Sequence, residues 1–245
     1  MRFHFHRLLY VLALSLGLGI SLSACTQPTA ISGPGGALNI LALPAGFDVN
    51  DLPSGWFLAG SAGSEQISPS LVDPLHELKI TSTGEGFALT RKTDAVLLAT
   101  PYLSWRWNVQ PGNWKYHPVR LLVGFNEGGS QPSKPKGLAQ LFPGFSLPPH
   151  DRGMSIGWGP SALMRGTFIH MKKENSERQE VYYTIRGGRE NAGKWWAETV
   201  DLSHLYAKAW PSDDASRAKI VFIGIGVAKS QHPQSSLIGD IRLSR

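Results

Sequence analysis

Four charged residues stand out because each sits within a run of alternating apolar side chains. Arg106 lies in Tyr102-Leu103-Ser104-Trp105-Arg106-Trp107-Asn108-Val109, Arg120 in Val119-Arg120-Leu121-Leu122-Val123, Glu198 in Trp195-Trp196-Ala197-Glu198, and Asp240 in Gly239-Asp240-Ile241. Side chains on a strand point alternately to its two faces, so each run splits into two sets. One set is a core: Leu103, Trp105, Trp107, Val109, Leu121, Val123, Phe125, Ile156, Trp158, Val221, Ile223, Ile225, Val227, Leu237, Ile241 and Leu243. The other collects Ser104, Arg106, Asn108, Arg120, Asn126, Glu198, Asp240 and Arg242, together with Gly124, Gly157, Gly159, Gly224 and Gly226. Strand glycines mark bulges or close approach to the backbone, so this face is expected to form a shallow groove for an elongated ligand. Arg106, Arg120, Glu198 and Asp240, with Tyr182 and Trp196 as nearby aromatics, are the candidate ligand-binding residues. The competing reading makes the four charges a structural ion-pair network and the glycines an aid to sheet curvature.

Among the local signatures of catalysis, no HExxH, GxGxxG or Walker loop occurs. Beyond the N-terminal segment the histidines are His76, His117, His150, His170, His204 and His232, and no two stand at metal-ligand spacing. No metal and no cofactor is therefore expected, and no catalytic residue is assigned. Two readings stay open, because distant strands bring residues together. Glu198 and Asp240 could serve as paired carboxylates for glycoside cleavage, and a calcium ion could be held at a sandwich edge by carboxylates and carbonyls.

The elements that must position these residues are strands. Of the 245 residues 42% are hydrophobic and 17% charged, with 27 glycines and 17 prolines, a balance that disfavours helical bundles and coiled coils. Short runs rich in β-branched and aromatic residues predict strands at 77–83, 86–92, 102–109, 119–126, 154–159, 167–172, 181–186, 195–202, 219–228 and 237–244. One short helix is expected around Leu202–Lys208, capped by Asp201 or Ser203 and stopped by Pro211. No repeat of fixed period appears. The economical architecture is one antiparallel two-sheet β-sandwich over residues 37–245, with helix below about a tenth. The segment 127–153 carries five prolines and five glycines, and its apolar middle, with Leu141, Phe142 and Phe145, is expected to pack on the sandwich.

The N-terminus reads as an address. Arg2 and Arg7 precede an apolar stretch from Leu8 to Leu22, the pattern of a signal peptide, too short for a comfortable membrane span. Leu22-Ser23-Ala24-Cys25 resembles the bacterial lipobox, so residues 1–24 are expected to be removed and Cys25, the one cysteine, to be lipidated. The run 25–36, rich in Pro and Gly, is then a flexible tether, and in a Gram-negative cell Thr26 after the cysteine points to the outer membrane, facing the periplasm. A single acylated cysteine leaves no disulfide and no cysteine zinc site. Loss of Arg2 and Arg7 takes the net charge from +6 to +4, too little and too scattered for nucleic acid; the dense run Lys172-Lys173 with Arg178 is interrupted by Glu174, Glu177 and Glu180 and reads as a solvated hairpin connection.

The strand Tyr102–Val109 resembles the signature strand of the bacterial family called domain of unknown function 3047, and further segments agree. They are Pro53-Ser54-Gly55-Trp56, a strand at His76–Thr83, the arginine-bearing Val119–Val123, an aromatic strand around Trp158, Trp195-Trp196-Ala197-Glu198, Ile220–Val227 and Gly239-Asp240-Ile241. Two departures are visible: Tyr116-His117-Pro118 and Ser230-Gln231-His232 stand where the family tends to carry acids. The resemblance implies a jelly-roll-like sandwich of galactose-binding or lectin type in the cell envelope. The favoured expectation is a non-catalytic binding module for a carbohydrate or other envelope component. The alternatives are a glycan hydrolase or lyase and a structural partner of another envelope protein.

Overall fold

The computed structural model describes residues 36–73, 76–127, 147–171 and 180–245. The signal segment, Cys25, all of the tether but Gly36, Leu141, Phe142, Phe145 and the Lys172-Lys173 to Arg178 run lie outside the described residues.

The chain forms two sheets packed face to face, with strands making up 53% and helices 8% of the structure, under the expected tenth. One sheet has six strands: β1 (Leu38–Asn39), β3 (Ile67–Pro69), β4 (Glu77–Gly84), β6 (Tyr102–Val109), β11 (Trp195–Asp201) and β13 (Ser230–Ser244). Their order is β11-β6-β13-β4-β3, and β1 pairs with the last residues of β13. The other sheet has seven: β2 (Trp56–Ala59), β5 (Phe87–Val96), β7 (Val119–Asn126), β8 (Arg152–Gly159), β9 (Phe168–Met171), β10 (Glu180–Gly187) and β12 (Lys219–Val227). They run β2-β5-β12-β7-β8-β10-β9. Among the described residues every pairing is antiparallel except β8 with β10, which is parallel. The short strands β1, β2 and β3 escape a sequence reading because runs of two to four residues beside Pro and Gly are too brief to show alternation.

Between the sheets lies an apolar layer. In β6, Leu103, Trp105, Trp107 and Val109 are buried while Ser104, Arg106 and Asn108 are half exposed, as alternation demands. Trp107 meets Trp158 of the opposite sheet at 5.5 Å between ring centroids, and Trp105 packs edge-on against Trp107 at 5.7 Å. Such ring pairs add roughly 0.5–1.5 kcal/mol each beyond area burial. On β13 the expectation needs correction: Ile238, not Leu237, faces the core. The register shifts between Gly239 and Arg242, so Ile241 and Leu243 still turn inward beyond the bulge. On β12 a similar shift between Ile220 and Phe222 places Val221 outside the core and Ile220 within it. The helix α1 (Leu202–Ala209) forms where expected, with Asp201 Oδ1 accepting from Ser203 N at 2.9 Å and His204 N at 3.1 Å.

Candidate functional site

The solvent side of the six-stranded sheet gathers charge around one arginine. Arg106, in the middle of β6, faces Gly239 of β13 across the pairing. A Cβ at residue 239 would lie 2.8 Å from Glu77 Cγ and 3.4 Å from Arg106 Nε, so only glycine lets these side chains lie flat over the strand. Arg106 Nη2 contacts Glu77 Oε1 at 2.6 Å and Asp73 Oδ2 at 3.4 Å, and Nε lies 2.7 Å from Asp240 Oδ2, though its N–H direction is not aligned for a hydrogen bond. Asp240 occupies the bulge at φ 54°, a left-handed conformation that aspartate tolerates better than most residues, and also accepts from Arg242 at 2.8 Å. His76 hydrogen-bonds Asp73 at 2.9 Å, which, with Arg106 nearby, holds the Asp73 carboxyl below its ordinary value. Trp195 of β11, 42% exposed, carries the Arg106 guanidinium 5.1 Å from its ring centroid.

Arg120 lies on the far side of the sandwich. It projects from the outer face of the seven-stranded sheet, paired across β7 with Gly226 on one side and Gly157 on the other. This face is not the open glycine groove the sequence suggests. A Cβ on Gly157 would meet the Tyr182 hydroxyl at 2.2 Å, one on Gly124 the Phe222 ring at 2.1 Å, and one on Gly226 the Leu122 side chain at 2.7 Å. The glycines are floors on which large side chains lie. Leu122, Phe222, Ala59, Ala88 and Leu147 form a second apolar cluster there, and His150 sets its ring edge-on to Phe222 at 5.1 Å. Tyr182 donates its hydroxyl to Trp158 O at 3.2 Å and lies 5.5 Å from Arg120; burial pushes its phenol above the ordinary value. His117, also buried, accepts from Val119 N at Nδ1, 3.1 Å. Burial, with the Arg120 charge adding to it, lowers its pKa to about 4.

Glu198 and Trp196 belong to neither outer face. Trp196 pairs with Trp107, Glu198 with Trp105 and Val200 with Leu103, so all three face inward from β11. Glu198 is 4% exposed and takes both oxygens to Arg186 of β10, Oε1 to Nε at 2.5 Å and Oε2 to Nη2 at 3.3 Å. The Arg186 guanidinium lies 3.7 Å from the Trp196 ring centroid, and Trp196 Nε1 donates to Asn191 O at 2.8 Å. This pair joins the two sheets where their edges meet.

The six candidates therefore fall into three places. Arg106 and Asp240 stand together, Arg120 and Tyr182 stand together on the opposite side, and Glu198 with Trp196 lies between the sheets. The single-face expectation fails for two physical reasons. Successive strands β6 and β7 enter different sheets, whose non-core faces point away from each other. On β11 the parity follows Val200, which puts Trp195 rather than Trp196 outside. Asp73, Glu77, His76 and Trp195 were missed as site residues; counting back from buried Val200 would have found Trp195. Among the described residues no group of three or more His, Cys, Asp or Glu side chains is placed to hold a metal ion.

No protein-family model and no curated protein is similar to the sequence. Solved structures with a similar course of the chain include the xyloglucanase domain of NopAA, a type three effector from Sinorhizobium fredii in complex with cellobiose. It shows 7% identity and a TM-score of 0.40 over 88% of this chain and 99% of that one. Endoglucanase 3 of Trichoderma harzianum, from family GH12, shows 12% identity and a TM-score of 0.41 over 89% and 94%. Carbohydrate-binding modules of the β-sandwich superfamily show 12% identity and a TM-score of 0.32 over 76% of this chain and 56% of that one. Likeness at this level assigns no activity to this chain.

Proposed function

We propose that the protein is a non-catalytic glycan-binding module held in the cell envelope by a lipid on Cys25, and that the glycan lies on the solvent face of the six-stranded sheet. The observation that carries this reading is Trp195: a large indole exposed on a polar strand face and held by a guanidinium across its ring. A pyranose offers an apolar C–H face to such a ring and hydroxyls to its surroundings. Ser104 and Asn108 of β6 and Thr199 of β11 supply those surroundings on the same face, with Tyr102, also 42% exposed, at the end of the row. The anchor rests on Arg2, Arg7 and Leu22-Ser23-Ala24-Cys25; among the described residues no helix is long and apolar enough to cross a membrane.

A glycan hydrolase is the second reading, favoured by the meeting of Glu77 and Asp240 on that face. Such an enzyme needs one carboxyl free to carry a proton to the leaving group, whereas Asp73, Glu77 and Asp240 all contact Arg106. Glu198, the carboxylate first considered, is bound through both oxygens. A glycan array on the purified protein, followed by a reducing-end assay on each hit, tests both. Binding without product is expected, with Trp195→Ala weakening it about tenfold or more and leaving the melting temperature nearly unchanged. Release of reducing ends from a hit would replace the module with the hydrolase.

A further inference from the structure

The arginines packed into this fold are satisfied by oxygen, with one exception. Arg186 holds Glu198 through two nitrogens, Arg152 holds Asp213 through two at 2.8 and 3.0 Å, and Arg91 donates to the carbonyls of Asn39 and Ile40 at 3.1 and 2.8 Å. Arg120 is nine-tenths buried, at 9% exposure, yet its Nε has no hydrogen-bond partner and no carboxylate of the described residues lies within ion-pair distance. Its neighbours are the face of Tyr182 and the glycines at 157 and 226. Tyr182 does not supply the missing anion, because its hydroxyl proton is donated to Trp158 O. A second donor is orphaned nearby. His117 accepts at Nδ1, so its ring proton sits on Nε2, which is buried without a partner.

A guanidinium presents two parallel N–H groups that match the paired oxygens of a carboxylate or phosphate, and a desolvated cation strongly favours such a partner. We propose that Arg120, with His117 beside it, forms a binding site for a small oxyanion group, the carboxylate of an acidic sugar or a phosphate, on the outer face of the seven-stranded sheet. This site is separate from the glycan face around Trp195, lies on the opposite side of the sandwich, and stands or falls on its own.

The test is isothermal titration of the full chain with sodium glucuronate and, separately, inorganic phosphate at matched ionic strength. Saturable binding of either anion is expected; glucuronate alone assigns the carboxylate, and phosphate alone assigns the phosphate. Arg120→Met, which keeps the aliphatic stem and removes the charge, should weaken that binding at least tenfold with an unchanged or higher melting temperature, while Arg120→Lys should lose less. Binding that survives Arg120→Met would show an adventitious ion only or, for glucuronate, a sugar on the Trp195 face, and would overturn the proposal, as would no saturable binding of either anion by the unaltered protein. The acids outside the described residues are Glu174 and Glu177. If Arg120→Met fails to fold or melts several degrees lower, and Glu174→Gln with Glu177→Gln does the same, the chain satisfies Arg120 itself. That result too overturns the proposal.

Discussion

The two outer faces of the sandwich handle the same residue in opposite ways. Arg106, about one third exposed, is ringed by Asp73, Glu77 and Asp240, while Arg120, far more deeply buried, touches no carboxylate of the described residues. Position along the strand does not explain the contrast, since both arginines sit opposite a glycine on a neighbouring strand. What differs is what the glycine admits. Gly239 makes room for Glu77 and Arg106 to cross the backbone together, whereas Gly157 makes room for an aromatic ring. The first face is internally neutralised and free to present Trp195 to a neutral ligand; the second keeps a cation in an apolar setting, which is costly unless something charged arrives.

The strongest way to calibrate this comparison is the third arginine, Arg186. Arg186→Ala strands Glu198 between the sheets and should cost about 3–5 kcal/mol in denaturant unfolding, the range for a broken buried pair. A loss under about 1 kcal/mol would mean that burial in this fold does not amplify charge, and the contrast between the faces would lose its force.

A smaller effect should come from pH. His117 has an ordinary value of 6.5 and a folded value of about 4, so the unfolded chain takes up the proton first. Its contribution to stability is complete above about pH 6.5 and is lost as pH falls from there toward 4, by up to about 3 kcal/mol. His117→Gln should flatten that part of the stability profile; an unchanged slope would show that burial does not hold the His117 ring neutral.

The smallest effect belongs to the neutralised face. Arg106→Met should cost roughly 1–2 kcal/mol, because Glu77, only 2% exposed, loses its partner while Asp73 and Asp240 can return to water. If this variant lost as much as Arg186→Ala, the solvent face would have to be regarded as an interior one.

What the sequence shows and what it hides follow one pattern. Alternation within a strand is visible, and it correctly separates Trp105 and Trp107 from Arg106. Assignment of strands to sheets is not visible, because β6 and β7 are neighbours in sequence and share no ladder. Parity fails wherever a bulge inserts a residue, which is why Leu237 and Val221 look like core and are not. Asp73 and Glu77 could not be joined to Arg106 by spacing, for their meeting depends on β13 lying between β4 and β6. The glycines were correctly placed on the outer faces, but composition cannot tell a groove from a floor already covered by Tyr182 and Phe222.

The position of β13 also governs the order in which this molecule can be completed. The long strand β13 lies between β6 and β4 and also pairs with β1. As the polypeptide emerges from its N-terminus, β6 and β4 must wait with unpaired edges until the fifteen residues of β13, Ser230–Ser244, are delivered. Pairing over such separations is slow, and the open edges invite association with other chains in the meantime. A chain stopped short of Ser230 would lack the middle of a sheet, so this one segment decides whether the strands before it become a folded protein.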